Sequence, residues 1–294
     1  MRNIDALFLF CEGPHDVSFC YLVMKYFFGM QIVEDKFSSY PSPLHKLLPQ
    51  NLKRHAAGDM SLDMAHKFFL PDRTVAKDND YVLIFNMGGK SKVDNPKQFL
   101  SSFLPLYENK ETFSKDAECI VHDVRYLFVY DADHESAEKI FHDFINNFNK
   151  INNISFVKNQ LNPSPENPGA AVSADKGVYV LGDPNTGKGT LEDIFMPIYN
   201  GKQTDWCAKA DSFVENTFSF HAGQGNSKQE IAARAKKAKA VITAAGQGEK
   251  PGRPMAAIIQ DDVLGSKENF LASEPVRKFA DFINEFASIQ KING

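Results

Sequence analysis

Short apolar runs, each followed by an amphipathic stretch, dominate the first two thirds of the chain. Ala6-Leu-Phe-Leu-Phe-Cys11 ends at Glu12-Gly13-Pro14, and Val17, Cys20, Tyr21, Met24 and Phe28 then recur at three- and four-residue steps. That pattern predicts a strand followed by a helix over about Asp16 to Phe28. Tyr81-Val-Leu-Ile-Phe85 repeats it, ending at Gly88-Gly89, with a helix from about Pro96 to Tyr107. Tyr126-Leu-Phe-Val-Tyr130 runs into Asp131-Ala-Asp133, and Ala137, Ile140, Phe141, Phe144 and Phe148 mark the next helix. Val178-Tyr-Val-Leu181 ends at Gly182-Asp183-Pro184 ahead of a short helix over Leu191 to Tyr199, and Ile154 to Val157 reads as one more strand. Strands alternating with helices predict an α/β fold, a mainly parallel Rossmann-like sheet flanked by helices.

Beyond Thr204 the period is helical only, with helices over about Ser227 to Ala245 and Glu274 to Ala287. The expected division is an α/β domain over 1–203 and a helical C-terminal layer or subdomain over 204–294. Residues 38–80 are too long for an ordinary helix-to-strand connection and read as an insertion, partly helical around Leu62 to Phe69. Phe141, Phe144 and Phe148, like Phe279, Phe282 and Phe286, sit at helical steps and read as packing faces.

Composition narrows the class. With 43% hydrophobic and 24% charged residues, a chain of 294 residues has apolar surface enough for a sizeable core, which excludes disorder and fibrous repeats. No unbroken apolar run exceeds the length of Ala6–Cys11, far below the ~18–20 residues that a membrane-spanning helix needs. The N-terminus carries Asp5 and Glu12 where a secretory signal would be uncharged, so a cytoplasmic protein is expected. Cys11, Cys20, Cys119 and Cys207 fall at no metal-ligand spacing and read as reduced thiols. A formal charge of −4 excludes a non-specific DNA coater, so a nucleic-acid partner must be held locally.

The loops at the carboxyl ends of neighbouring parallel strands converge on one edge of a sheet, where ligands bind. Three acidic pairs fall there: Glu12 with Asp16, Asp131 with Asp133, and Glu192 with Asp193. Past the strand end both Asp131 and Asp133 are free to face a shared cation, and hard oxygen ligands suit one or two Mg²⁺ or Mn²⁺ ions. Taken singly, each acid also fits a helix cap or turn. His15 and His134, beside these acids, read as surface or capping histidines. No His/Cys cluster offers a zinc site, and no Gly-x-Ser-x-Gly elbow offers an acyl-transfer nucleophile.

Phe8-Leu-Phe-Cys-Glu12-Gly13-Pro-His-Asp16 and Phe128-Val-Tyr-Asp131-Ala-Asp133 resemble the two signature motifs of the Toprim domain. That domain is shared by topoisomerases, bacterial primases, recombination-mediator proteins and OLD-type nucleases. Gly88-Gly89, Val178 to Asn185 and Gly189-Thr-Leu-Glu192-Asp193 resemble further features of a stand-alone Toprim-like group related to the OLD-type nucleases. The resemblance implies that Glu12 is a catalytic general acid/base or metal ligand, that Asp131 and Asp133 bind metal, that Asp16 is a further acid, and that Glu192 completes a second metal position. It implies metal-dependent phosphodiester hydrolysis of nucleic acid, with an ATPase or helicase-like protein as a further partner. Recombination-mediator Toprim domains make a non-catalytic nucleic-acid-binding module the alternative.

A third reading rests on Gly182-Asp-Pro-Asn-Thr-Gly187-Lys188-Gly189-Thr190, which resembles the phosphate-binding loop of adenylate-kinase-like enzymes and lies between a strand and a helix. Asn185 replaces an expected glycine there, and the residues beyond the loop lack the strands of a kinase core. Lys188 is therefore also a candidate phosphate contact within the Toprim-like site. Arg234, Lys236 and Lys237, in an Ala-rich helical stretch that continues to Lys239, are candidate nucleic-acid contacts, as are Lys53, Arg54 and His55 in the insertion.

Overall fold

The apolar runs pair with one another. In the computed structural model, which describes residues 2–33, 36–41, 44–50, 70–108, 119–152, 154–157, 160–183, 186–200, 205–220, 223 and 225–292, they are neighbouring strands of one sheet. The first half of the chain runs β1 (Arg2–Cys11), α1 (Pro14–Phe28), β2 (Gln31–Ile32), β3 (Arg73–Lys77), β4 (Asp80–Asn86), α2 (Asp94–Glu108) and β5 (Cys119–Asp131). There follow α3 (Ala137–Phe148), β6 (Lys150–Ile151), β7 (Ile154–Ser155), β8 (Asn162–Pro163), β9 (Ala170–Ser173), β10 (Lys176–Leu181) and α4 (Leu191–Asn200). The C-terminal region is helical: α5 (Trp206–Thr217), α6 (Lys228–Gly246), α7 (Met255–Gln260), α8 (Lys267–Ala272) and α9 (Glu274–Ala287).

The sheet order is β2-β3-β4-β1-β5-β10-β9-β8, with β4, β1, β5 and β10 parallel and the flanking strands antiparallel. It is a mixed α/β fold with a parallel centre. β1 is the first parallel strand in the chain but the second in space, so the winding direction reverses between β1 and β5. In open α/β sheets a ligand crevice lies at such a reversal, outside the carboxyl ends of the strands.

Alternation along each central strand sorts its side chains onto two faces. Leu7, Leu9, Leu127, Val129, Val82 and Ile84 face one core with α1, α4 and the C-terminal helices. Phe8, Phe10, Leu83, Phe85, Tyr126 and Phe128 face the other, with α2 and α3. Val241 and Ile242 of α6, Ile258 of α7, Phe270 of α8 and Phe279 of α9 belong to the same apolar cluster as the buried residues of α1, so the C-terminal helices cover one side of the sheet. Ser18 Oγ donates to Ala256 O at 2.8 Å and ties α1 to α7.

Three expectations change. Residues 73–77, placed within the insertion, form β3 and pair with β4 in the main sheet. Ile154–Ser155 pairs only with β6, in a separate two-stranded hairpin. β5 begins well before Tyr126 because its charged first half pairs with the start of β1. The expected helix around 62–69 lies outside the described residues, and 44–50 are helical. Among the described residues no helix is long and apolar enough to cross a membrane.

Phe128 is fully buried, with ring centroids 4.8 Å from Phe10, 4.8 Å from Phe144 and 4.7 Å from Phe148. Phe128→Ala should lose about 3–5 kcal/mol of stability in urea denaturation through the cavity it opens. A loss below about 1 kcal/mol would contradict this packing.

Candidate functional site

Register fixes the site. Cys11, the last residue of β1, pairs with Val129, so Glu12 emerges beside the end of β5, where Asp131 is the last strand residue. Glu12 Oε1 accepts a hydrogen bond from Asp131 N at 3.2 Å. The Glu12 carbonyl accepts one from Gly89 N at 2.7 Å, from the loop after β4. Gly89 has φ +122°, a conformation that favours glycine. Pro14 opens α1, and Asp16 in its first turn accepts from Gly13 N at 2.8 Å, which holds that carboxylate over the start of its own helix.

The fourth parallel strand brings the last acid. Beyond β10 the chain folds back, and Gly189 exchanges paired 2.7 Å hydrogen bonds with Asp133. α4 then starts at Leu191, whose N–H donates to Asp131 Oδ1 at 3.0 Å. Glu192 is 2% exposed; its Oε1 lies 3.7 Å from His15 Nδ1 and 3.6 Å from Lys239 Nζ. Its Oε2 and the buried Thr190 hydroxyl have no hydrogen-bond partner among the described residues. Glu12, Asp16, Asp131 and Glu192 thus line one open cleft of about 780 Å³, with Lys92 and Lys239 also on its wall.

Burial raises the proton affinity of three of these acids. Glu12 is pushed up to about 8, by burial first and then by Asp16. Asp16 is pushed up to about 6 by burial, against the Gly13 hydrogen bond. Asp131 is held well above its ordinary value by burial and by Asp16, Glu12 and Glu192. Glu192 is the exception: burial opposes its charge, but His15 and Lys239 outweigh it and hold the carboxyl below its usual range.

The cleft gathers four of the six acids paired in the sequence; Asp193 is taken up by Thr190 N and Arg234, and Asp133 turns away. With φ +52°, Asp133 directs its carboxylate to Lys90 Nζ at 3.1 Å. Lys90 also donates to Asp131 O at 3.0 Å and lies 3.3 Å from Glu135. Burial acts to lower the Lys90 pKa, but Asp133 and Glu12 raise it further. In this arrangement Asp131 and Asp133 do not face one shared cation, because an ammonium group already neutralises Asp133. Among the described residues no three His, Cys, Asp or Glu side chains converge into a ready-made metal cage. The physical reason is visible in the hydrogen bonds: Glu12, Asp16 and Asp131 each commit one oxygen to a backbone N–H.

The basic candidates separate. Arg234 pairs with Asp193 and donates to Gly225 O, and Lys237 pairs with Asp211 and Glu215. Lys236 stands on α6 away from the cleft wall. His134 is exposed, and Lys53, Arg54 and His55 lie outside the described residues. Lys239, not chosen from the sequence, is the α6 cation that reaches the cleft. Its signal was present: it continues the buried stripe Ile231, Ala235, Ile242 and Gly246 at helical spacing.

Among the described residues of the loop before α4, the amides from Thr186 to Leu191 are not presented to a phosphate. The N–H groups of Thr186 and Gly187 donate to Asp183, that of Lys188 to Thr186, that of Gly189 to Asp133, that of Thr190 to Asp193 and that of Leu191 to Asp131. A phosphate cradle needs such groups free, whereas these close a strand-to-helix turn.

No family model and no curated protein matches this chain. Among solved structures, the crystal structure of a hypothetical protein from Pyrococcus horikoshii OT3 is similar over 98% of this chain and 99% of that one, at 13% identity and a TM-score of 0.46. A likeness that distant carries no function across.

The buried acids make stability depend on pH. A carboxyl whose pKa is higher folded than unfolded binds more protons in the folded state, so its contribution is full below the unfolded pKa and is lost as pH rises through the folded one. For Glu12 that window runs from about 4 to about 8, and for Asp16 from about 4 to about 6. Each pH unit that separates the folded pKa from the unfolded one is worth about 1.4 kcal/mol. In EDTA, Glu12→Gln should therefore gain a few kcal/mol over the wild type in urea denaturation at pH 8.5 relative to pH 4. An equal effect of the substitution at both pH values would contradict the burial of this charge.

Proposed function

We propose that this chain is a Toprim-like, divalent-metal-dependent nuclease whose centre is the cleft formed by Glu12, Asp16, Asp131 and Glu192. One observation carries the reading: four carboxyl groups from three chain segments meet at the reversal point of the sheet, and one buried oxygen of Glu192 has no partner among the described residues. Buried carboxylates of like charge call for a cation. The donor set is carboxylate oxygen with the neighbouring Thr190 hydroxyl, which suits Mg²⁺ or Mn²⁺ and differs from a thiolate-type zinc site. Asp131, Glu192, Asp16 and Glu12 would hold one or two such ions, which when bound polarise a phosphodiester and activate water.

The chain's own groups supply the rest. In the metal-free cleft Glu12 keeps a proton close to neutral pH, a starting point for a group that passes a proton to or from the reacting oxygens. Its Oε1 is fixed by Asp131 N, which leaves the other oxygen for that task. Lys92 and Lys239 line a cleft that is otherwise acidic, and give a phosphate backbone two cations to lie against. Asp133 serves by holding Lys90 beside the Asp131 carbonyl.

The position of Lys90 also favours a second reading. An ammonium group that neutralises Asp133 and Glu135 without any metal fits a module that binds nucleic acid and leaves it intact. Cleavage separates the two. With Mn²⁺ and end-labelled DNA or RNA oligonucleotides, the wild type should cleave, and Glu12→Gln and Asp131→Asn should each lower the rate by about 100-fold or more. Lys239→Ala should weaken oligonucleotide binding and its salt dependence. Oligonucleotide binding without cleavage under Mn²⁺ and Mg²⁺ would replace the nuclease reading with the binding module.

A further inference from the structure

A second, smaller cavity lies on the far side of the turn that builds the acidic cleft. Asp131, Leu191 and Glu192 line the cleft, while Glu135, Asp183, Lys188 and Ile194 of the same two segments line this cavity of about 260 Å³. The Asp133–Gly189 bridge belongs to the wall between them. We propose that this cavity receives one unpaired base of the nucleic-acid strand whose phosphodiester lies in the acidic cleft, so that the substrate is single-stranded at the site. The proposal rests on the nuclease reading for its placement of the strand.

Three properties of the cavity point to a base. Its floor is apolar and partly aromatic, with Tyr179, Leu181 and Ile194 joined by Pro168 and Pro275. The volume lies below the ~300–1,000 Å³ typical of sites for drug-sized ligands, so it admits a single ring system and not a stacked pair. Its polar groups suit a neutral ring better than a phosphate. Asp183 and Glu138 would repel an anion inside, while Glu135 is already paired with Lys90 and Lys139, and Lys278 with Glu274.

The remaining lysine sets the direction of entry. Lys188 lines the cavity and forms no ion pair among the described residues, which leaves it for the phosphate of the bound nucleotide. Asn167, held by its amide to the Tyr179 hydroxyl at 3.0 Å and by its carbonyl oxygen to Gly169 N at 3.1 Å, presents a fixed amide at the cavity wall. Duplex ends cannot place a base there without unpairing it, whereas a single strand swings one in at little cost.

The test is anisotropy of a short fluorescein-labelled oligonucleotide, alone or annealed to its complement, in EDTA so that nothing is cleaved. The single strand should bind about ten-fold more tightly than the duplex, from the worth of one buried base. Ala137→Phe, which fills the cavity from a half-buried position at the start of α3, should abolish that preference and leave duplex binding unchanged. Lys188→Glu, at the rim, should weaken single-strand binding several-fold with an unchanged melting temperature. Equal binding of both forms by the wild type, or a preference that survives Ala137→Phe and Lys188→Glu, would overturn the proposal. Cleavage decides the other reading separately: a preference lost on filling the cavity, with no Mn²⁺-dependent cleavage, keeps the base pocket and removes the nuclease, whereas cleavage without strand preference does the reverse.

Discussion

The ladder between β1 and β5 is the constraint on which the site depends. Because Cys11 stands opposite Val129, Glu12 emerges beside the last residue of β5, and its carboxylate takes the Asp131 amide as its partner. A one-residue slip would exchange the two buried faces of β1, Phe for Leu, and separate these two acids. Two apolar layers oppose that slip. Phe8 and Phe10 stack on one side against Phe85, Phe103 and Phe128, and Leu7, Leu9 and Cys11 are buried on the other. The packing that makes the strand also fixes its carboxyl end.

From that fixed edge follows an electrostatic conflict. Glu12, Asp16 and Asp131 are all raised in proton affinity by burial; Asp16 adds to the cost of ionising Glu12, and both add to that of Asp131. Lys90 relieves Asp133 and Glu135 but leaves the cleft acids crowded, and Lys239 and His15 relieve Glu192. The fold thus divides its acids into a set neutralised by lysine and a set left facing one another. A protein that required only stability would replace the second set with apolar or amide side chains, since unpaired buried charge is costly. Retained charge strain at a strand-end crevice is the pattern of a functional site.

The central strands were legible because they are buried on both faces and so read as unbroken apolar runs. The outer strands were not: β3 has only a short apolar centre between Arg73 and Lys77, and β2 and β8 are too short to show a period. The first half of β5 opens with Cys119-Ile120-Val121 but is broken by His122, Asp123 and Arg125, and it is held by its pairing with β1. Among the site residues, Glu12, Asp16, Asp131 and Glu192 were legible from their places after strands or at helix starts. The turn of Asp133 towards Lys90 was not, because it depends on a positive φ and on a partner that follows another strand. Lys239 was hidden by its neighbours: the sequence shows a run of cations, and only the helical phase separates it from Lys236 and Lys237.

The carboxylates left facing one another at the β1–β5 edge are the proposed seat of a divalent cation. Crystals grown with Mn²⁺ test this assignment most directly, through an anomalous difference map at the manganese edge. A peak is expected in the cleft about 2.0–2.3 Å from oxygens of Asp131 and at least one of Glu12, Asp16 and Glu192, with the Glu192 oxygen that has no partner among the described residues turned towards it or bridged by water. A map with no peak in the cleft at saturating Mn²⁺, or with peaks only at surface carboxylates, would contradict the assignment and leave these acids as a proton-holding cluster in a binding protein.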